Sequence, residues 1–242
     1  MMMFILAWKN IWRNKKRSLI ILAATAIGLA AGLFSVGLMT GMYDSMVDSA
    51  INRGLGNIQI HTEAYKKDQL ISQFLPDIDS LVQTLQTHAN VKAFTTHSVI
   101  EGMASSATVA SGVSIIAIDP AKEQTVTAVS QSLIEGTYLD KTNAIVVGKK
   151  LADKLKLKLR SRLVLSFAGL DGNIIYAAFR ISGIYSTDAS TFDGVNIFIR
   201  QQDLSALLGT EVPIHEIIIR TKNSLLLDQT KNELQALMPK GI

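Results

Sequence analysis

The stretch that decides the fold is AWKNIWRNKKRSLIILAATAIGLAAG, residues 7–32. It opens with Trp8, Lys9, Trp12, Arg13, Lys15, Lys16 and Arg17, and then the charge stops: from Leu19 to Met42 no residue is ionisable. A helix of those 24 residues spans about 36 Å at about 1.5 Å per residue, more than the ~30 Å of a hydrocarbon core. An apolar run of this length reads as a transmembrane helix, because in lipid a single segment satisfies its backbone only by coiling on itself. The five cations ahead of it, with none close behind, orient the N-terminus to the cytoplasm and the body outward. A cleaved secretory signal is the competing reading, but its apolar region runs to about 15 residues at most.

Phe4, Ile5, Trp8, Ile11 and Trp12 recur at helical spacing, with Lys9, Arg13 and Lys16 on or near the other side. Residues 1–18 therefore read as a basic amphipathic helix at the membrane interface, with its indoles at headgroup depth and its cations toward anionic lipid. Within the span (19–42), Ala24, Gly28 and Gly32 fall four apart, a spacing of small residues that lets another helix approach closely. No second span occurs in these 242 residues, so the partner is expected to be another subunit or a further part of the protein. Beyond Met42 the helical spacing continues through Met46, Val47, Ala50 and Ile51 until Gly54 and Gly56. Residues 43–56 thus read as a helical stalk.

The rest is of different character. Outside residues 1–18 the chain carries 19 basic and 20 acidic side chains, so its basicity belongs to the N-terminus and no broad nucleic-acid-binding face is implied. The absence of cysteine removes disulfides, thiolate nucleophiles and thiolate metal sites. NIQIHT (57–62) reads as a strand, Pro76 to His88 as a helix, and 91–103 and 112–118 as strands, with Asp119-Pro120 as a break. AIVVGKKLADKLKL is a strand and a short helix; RLVLSF and NIIYAAFRISGIY are strands joined by an Asp171-Gly172 hairpin turn. GVNIFIR, a helix ended by Gly209, the strand HEIIIRT (215–221) and a helix capped by Ser224 and running to about Met238 complete the chain. The expected fold is membrane-anchored α+β. One transmembrane helix precedes an extracytoplasmic split βαβ subdomain (57–120 and 211–242), into which a β-rich subdomain (121–210) is inserted.

Chemistry-bearing motifs are sparse. There is no GxxxxGK[ST] phosphate loop and no GxSxG elbow, and His61, His88, His97 and His215 stand apart with no metal-ligand spacing. His215-Glu216 opens a strand and reads as a local hydrogen bond. STDASTFDGVN (186–196) gathers Asp188 and Asp193 but lacks the alternation of a calcium loop, so a turn is expected. GKKLADKLKLKLRSR (148–162) holds seven cations and one acid; a solvated face with edge-guarding lysines is the reading preferred over an anion-binding surface. No catalytic, cofactor or metal residue is assigned.

Five of these stretches, in order, resemble the N-terminal half of permeases of the lipoprotein-releasing and MacB-type (FtsX-like) ABC transporters: AWKNIWRNKKRSLI…GLAAG, NIQIHTEAY, AIVVGKKLADKLKL, ISGIYSTDASTFDGVNIFI and HEIIIRT. The resemblance implies an inner-membrane permease with a porter-like split subdomain. It implies a cytoplasmic ABC ATPase on a separate chain, a second permease subunit as homo- or heterodimer, contact with membrane lipid, and a lipoprotein or other periplasmic cargo. It also implies three further spans after residue 242 and no enzymatic activity in this chain. Two positions depart from the pattern: Lys156 and Arg160 stand where family members commonly carry glycine. A single-pass sensor with an outer ligand-binding domain is the alternative that topology alone allows.

Overall fold

The computed structural model describes residues 2–239 and Gly241, and the chain forms two compact units that meet between Asp48 and Ser49. The first unit holds α1 (Met2–Arg13) and most of α2 (Lys15–Ala50), separated by a turn at Asn14. No residue of α2 is buried within the chain, so its leucines, isoleucines and Phe34 lie bare on all sides, as a lipid-facing helix requires. Thr25 and Thr40 turn their hydroxyls back onto the carbonyls of Ile21 and Val36, at 2.9 and 3.0 Å, hiding polar groups that lipid could not solvate.

The second unit begins with the last residues of α2 and a π-helical turn (Ile51–Leu55). Its elements in order are β1 (Ile58–His61), α3 (Glu63–Asp68), α4 (Ile78–Thr87), β2 (Val91–Ser105), β3 (Ala110–Ile118), α5 (Pro120–Val126) and β4 (Leu133–Gly136). There follow β5 (Ala144–Gly148), α6 (Lys149–Leu155), β6 (Arg162–Ala168), β7 (Ile174–Tyr185), α7 (Ser190–Val195), β8 (Asn196–Arg200), α8 (Gln201–Leu208), β9 (Glu216–Thr221) and α9 (Leu227–Leu237).

Strand β2 organises the body because it serves two sheets. Its first half pairs with β9, which pairs in turn with β1, all antiparallel. Leu81 and Leu85 of α4 and Leu234 of α9 cover this small sheet, packing with Ile60, Val91, Ile217 and Ile219. The second half of β2 enters a closed ring, in which β2 pairs β3, β3 pairs β8, β8 pairs β5, β5 pairs β7, β7 pairs β6, and β6 returns to β2. The ring is a small barrel, narrow enough to be filled by its own side chains. Alternate residues point inward from each strand: Val113, Ile115 and Ala117; Leu163, Leu165 and Phe167; Ala177, Phe179 and Ile181. Strand β4 lies outside the ring on β7. The boundary expected at residue 120 falls within the barrel's strand set, since β2 and β3 precede it and the other four strands follow.

Two local readings change. Asp119-Pro120 does not break the chain but starts α5: the Asp119 carboxylate accepts from the Ala121 N–H at 3.0 Å and proline takes the first helical position, where its missing N–H costs nothing. Asn223, rather than Ser224, caps the 3₁₀ turn Ser224–Leu226 that leads into α9, its side chain accepting from the Leu225 N–H at 2.9 Å; α9 itself has no side-chain cap. The Asp171-Gly172 turn does close the β6–β7 hairpin, with Gly172 at φ +79°.

Candidate functional site

The segment where the helix enters the body, residues 49–57, is tied down by residues far away in sequence. The Ala128 N–H donates to the Asn52 carbonyl at 2.8 Å. Arg53 pairs with Asp188, and the neighbouring Ser49 hydroxyl together with Arg53 holds that carboxyl below the usual carboxylate range. The chain then turns on Gly56, at φ +60° and ψ −163°, a region that only glycine adopts without strain. A Cβ there would lie 2.6 Å from Ile218 Cγ2 and 2.7 Å from the Ile219 carbonyl, so the absent side chain lets the root press against β9. Asn57 completes the attachment: its N–H donates to the Ile219 carbonyl at 2.8 Å, and its Oδ1 accepts from the Thr221 N–H at 3.0 Å.

A cavity of about 540 Å³ opens beside this root, walled by Leu55, Val99, Phe192 and Phe198 with His97 and Glu216 among them. His97 and Glu216 face each other across the β2–β9 ladder. Behind His97, its Nε2 meets the Glu123 carboxylate at 2.7 Å, and Thr127 Oγ1 donates to the other carboxylate oxygen at 2.8 Å. Both partners are almost fully buried. Burial alone would lower the His97 pKa, but the Glu123 charge and hydrogen bond overcome it and raise the value above 6.5. Burial likewise opposes ionisation of Glu123, and His97 overcomes it, holding the pKa below 4.5. Burial pushes Glu216 above 4.5.

His215 is a separate case. Its Nδ1 accepts from the Val99 N–H at 3.1 Å, and its Nε2 sits 2.9 Å from the Ile71 carbonyl, which can only accept, so Nε2 carries the proton and the ring is neutral. Tyr65 stacks on it at 5.0 Å. The local hydrogen bond expected of His215 is thus replaced by long-range ones that join three parts of the chain.

In the first unit, Trp8 and Trp12 are exposed, with ring centroids 6.2 Å apart, and Lys15 Nζ lies 5.3 Å over the Trp12 ring. Arg13 ends α1, and Lys15, Lys16 and Arg17 open α2, all exposed. The side chains of Phe4 and Ile11, expected on the apolar face, lie outside the described residues. Ala24 is exposed, and a Cβ on Gly28 or Gly32 would meet nothing within 4 Å. The stalk residues divide: Met46 and Val47 belong to the first unit, while Ala50 and Ile51, both half-buried, belong to the second.

The acids of the 186–196 loop also part. Asp193 is buried and accepts from the Thr187 N–H and hydroxyl at 2.9 and 2.7 Å, fixing a turn, whereas Asp188 serves Arg53. Gly148 packs against the backbone of Asp193, where a Cβ would lie 2.1 Å from its carbonyl oxygen; two of the quoted motifs are therefore two sides of one contact. Among the described residues, no group of three or more His, Cys, Asp or Glu side chains is placed to hold a metal ion.

Residues 18–237 match the MacB-like periplasmic core domain family. The chain belongs to that family. Membership places it among MacB-type ABC permeases, transporter components that are not themselves enzymes. A MacB-like body behind one N-terminal apolar helix describes a membrane-anchored protein with an extracytoplasmic domain. Two solved structures share the fold. The extracellular domain of the noncanonic ABC-type transporter YknZ from Gram-positive bacteria is 13% identical with a TM-score of 0.51, covering 74% of this chain and 90% of that one. The periplasmic region of MacB from Actinobacillus actinomycetemcomitans is 12% identical with a TM-score of 0.50, covering 77% and 86%. No curated protein matches the chain.

Within this MacB-like domain, sequence reasoning missed Arg53, Asp188, His97, Glu123 and Glu216 as a neighbourhood. The glycines at 54 and 56 marked where the helix ends, but nothing local announced what Arg53 would reach.

Proposed function

We propose that the chain is a permease subunit of an ABC transporter of the mechanotransmission type, residing in the bacterial inner membrane with its N-terminus in the cytoplasm. A cytoplasmic ABC ATPase on a separate chain supplies the motion, and a second permease subunit supplies the opposing helix and body. Residues 43–56 act as the stalk. The segments 57–120 and 211–242 supply a porter-like subdomain and 121–210 the inserted β-rich part, whose barrel takes in β2 and β3, and movement of this body releases or exports a lipoprotein or another periplasmic cargo. Ala24, Gly28 and Gly32 form the face that receives the partner helix, and Trp8, Trp12 and the flanking cations hold the interface.

One observation carries this reading. The helix that starts at Lys15 runs without a break to Ala50, and the turn that follows it is fixed to β9, to the Ala128 backbone and to Asp188. A lever needs the outer segment of its helix held to the body in this way, whereas a tethered ligand-binding domain would need no such attachment. Val47→Pro removes one helical hydrogen bond and kinks the rod in its exposed part. With the ATPase and the partner subunit present, ATP hydrolysis should persist, export should fail, and the body should melt as in the wild type. Unchanged export would refute the lever.

A further inference from the structure

The seven cations of residues 148–162 do not form one face. Lys154 Nζ donates to Ser111 Oγ at 2.8 Å on β3, whereas Arg160 and Arg162 turn to a second cavity, of about 770 Å³, on the outer side of the barrel. Arg180 of β7 and Lys141 of the loop before β5 line the same cavity. All four residues are exposed, and among the described residues none has a carboxylate within ion-pair distance. Asp140 is the one acid on the wall.

The fold does not ask for this arrangement. Edge protection does not account for Arg180, since β7 pairs there with both β6, at Arg162, and β5, at Ala144. Arg162 and Arg180 are direct cross-strand partners, with Cβ atoms about 5 Å apart, where like charges repel. Arg160 stands at φ +67°, a left-handed conformation that glycine adopts freely and arginine does not, locked by its N–H donating to the Ile181 carbonyl at 2.9 Å. Backbone held in such conformations clusters at ligand sites, and a bound anion would offset the paired like charges.

We infer that this cavity binds a phosphate-bearing ligand through Arg160, Arg162, Arg180 and Lys141. Guanidinium forks match phosphate oxygens two at a time, and a phosphate monoester near −2 offsets two cations where a carboxylate offsets one. The cavity lies within the size range of small-ligand sites, about 300–1,000 Å³. The phosphate arrives either on a soluble ester or on a lipid headgroup. The inference does not depend on the transport reading.

The test is calorimetric titration of the full chain in a non-ionic detergent, with inorganic pyrophosphate in one arm and dihexanoyl phosphatidic acid, kept below its micellar concentration, in the other. Saturable one-to-one binding is expected, weakening as salt rises. Arg160→Gly should weaken it at least about tenfold while the melting temperature holds or rises, because glycine suits that φ. Arg162→Gln with Arg180→Gln should abolish it, and Lys66→Gln with Lys67→Gln, exposed on α3 and away from the cavity, should leave it intact. Tighter binding of the lipid assigns a headgroup, and tighter binding of pyrophosphate a soluble ester; either supports the site. No saturation in the wild type, or undiminished binding in both arginine variants, overturns it.

Discussion

Replacing Gly56 with alanine tests whether the helix root is seated on β9 as described. The new Cβ would stand 2.6 Å from Ile218 Cγ2 and 2.7 Å from the Ile219 carbonyl oxygen, against ordinary contacts of about 3.5–4.0 Å. The Ile218 methyl can swing aside, but the carbonyl cannot, because it accepts from the Asn57 N–H at 2.8 Å. Alanine at φ +60° and ψ −163° adds backbone strain of about 1–3 kcal/mol, and the overlap adds about 1–3 more. The expected loss is about 2–6 kcal/mol, a fall in melting temperature of roughly 4–24 °C for a unit of this size. Tyrosine near-ultraviolet circular dichroism is the suitable probe, since both tryptophans lie in the interfacial helix α1 and do not report on the body. Gly112→Ala is the control: nothing lies within 4 Å of its Cβ, so stability should hold or rise by about 0.5 kcal/mol. A melting temperature for Gly56→Ala within about 1 °C of the wild type would refute the seating.

Two further outcomes follow from the buried pair and the bare glycines. Because His97 is raised above 6.5, its contribution is complete below pH 6.5 and fades as pH climbs through the folded value; because Glu123 is lowered below 4.5, its contribution is complete above pH 4.5 and fades as pH falls through the folded value. The pair therefore stabilises most between pH 4.5 and 6.5. Glu123→Gln should cost about 3–5 kcal/mol at pH 5.5 in urea denaturation and leave a protein that gains stability as pH rises toward 7, since its buried imidazole then prefers to be neutral. A variant whose pH profile parallels the wild type would contradict the pairing. Gly28→Leu with Gly32→Leu, which meet nothing in their own chain, should leave the melting of the body unchanged while weakening assembly with the partner subunit in mild detergent; intact complexes would remove the packing role.

Much of the architecture is written locally. The β-branched runs IQIH, AIVVG, NIFIR and EIIIRT become β1, β5, β8 and β9 because each is bounded by glycine or polar residues and too short for a helix. The uncharged 24 residues behind a cationic flank are equally direct. What stayed hidden depends on pairing at a distance. The period of β2 says strand but not that its halves join different sheets, and no window of sequence announces that β6 returns to β2 to close a barrel. Helix α3 was missed because six largely polar residues carry too little periodicity. The site fared worse for the same reason. Arg53 and Asp188 are 135 positions apart, and Arg162 and Arg180 meet only because an intervening hairpin folds one strand onto the other. The quoted motifs did mark the right segments, as the fit of Gly148 against Asp193 explains.

The position of β9 has a consequence for how the molecule is made. It lies between β1 and β2 and among the described residues is the one strand that β1 pairs with, so β1 waits for a partner made more than 150 residues later. Contacts of such long sequence separation form slowly and leave apolar strand edges open in the meantime. The order of synthesis then favours lodging α2 in the bilayer well before the small sheet closes, so that the growing body is tethered at one end and kept from its neighbours while it completes itself.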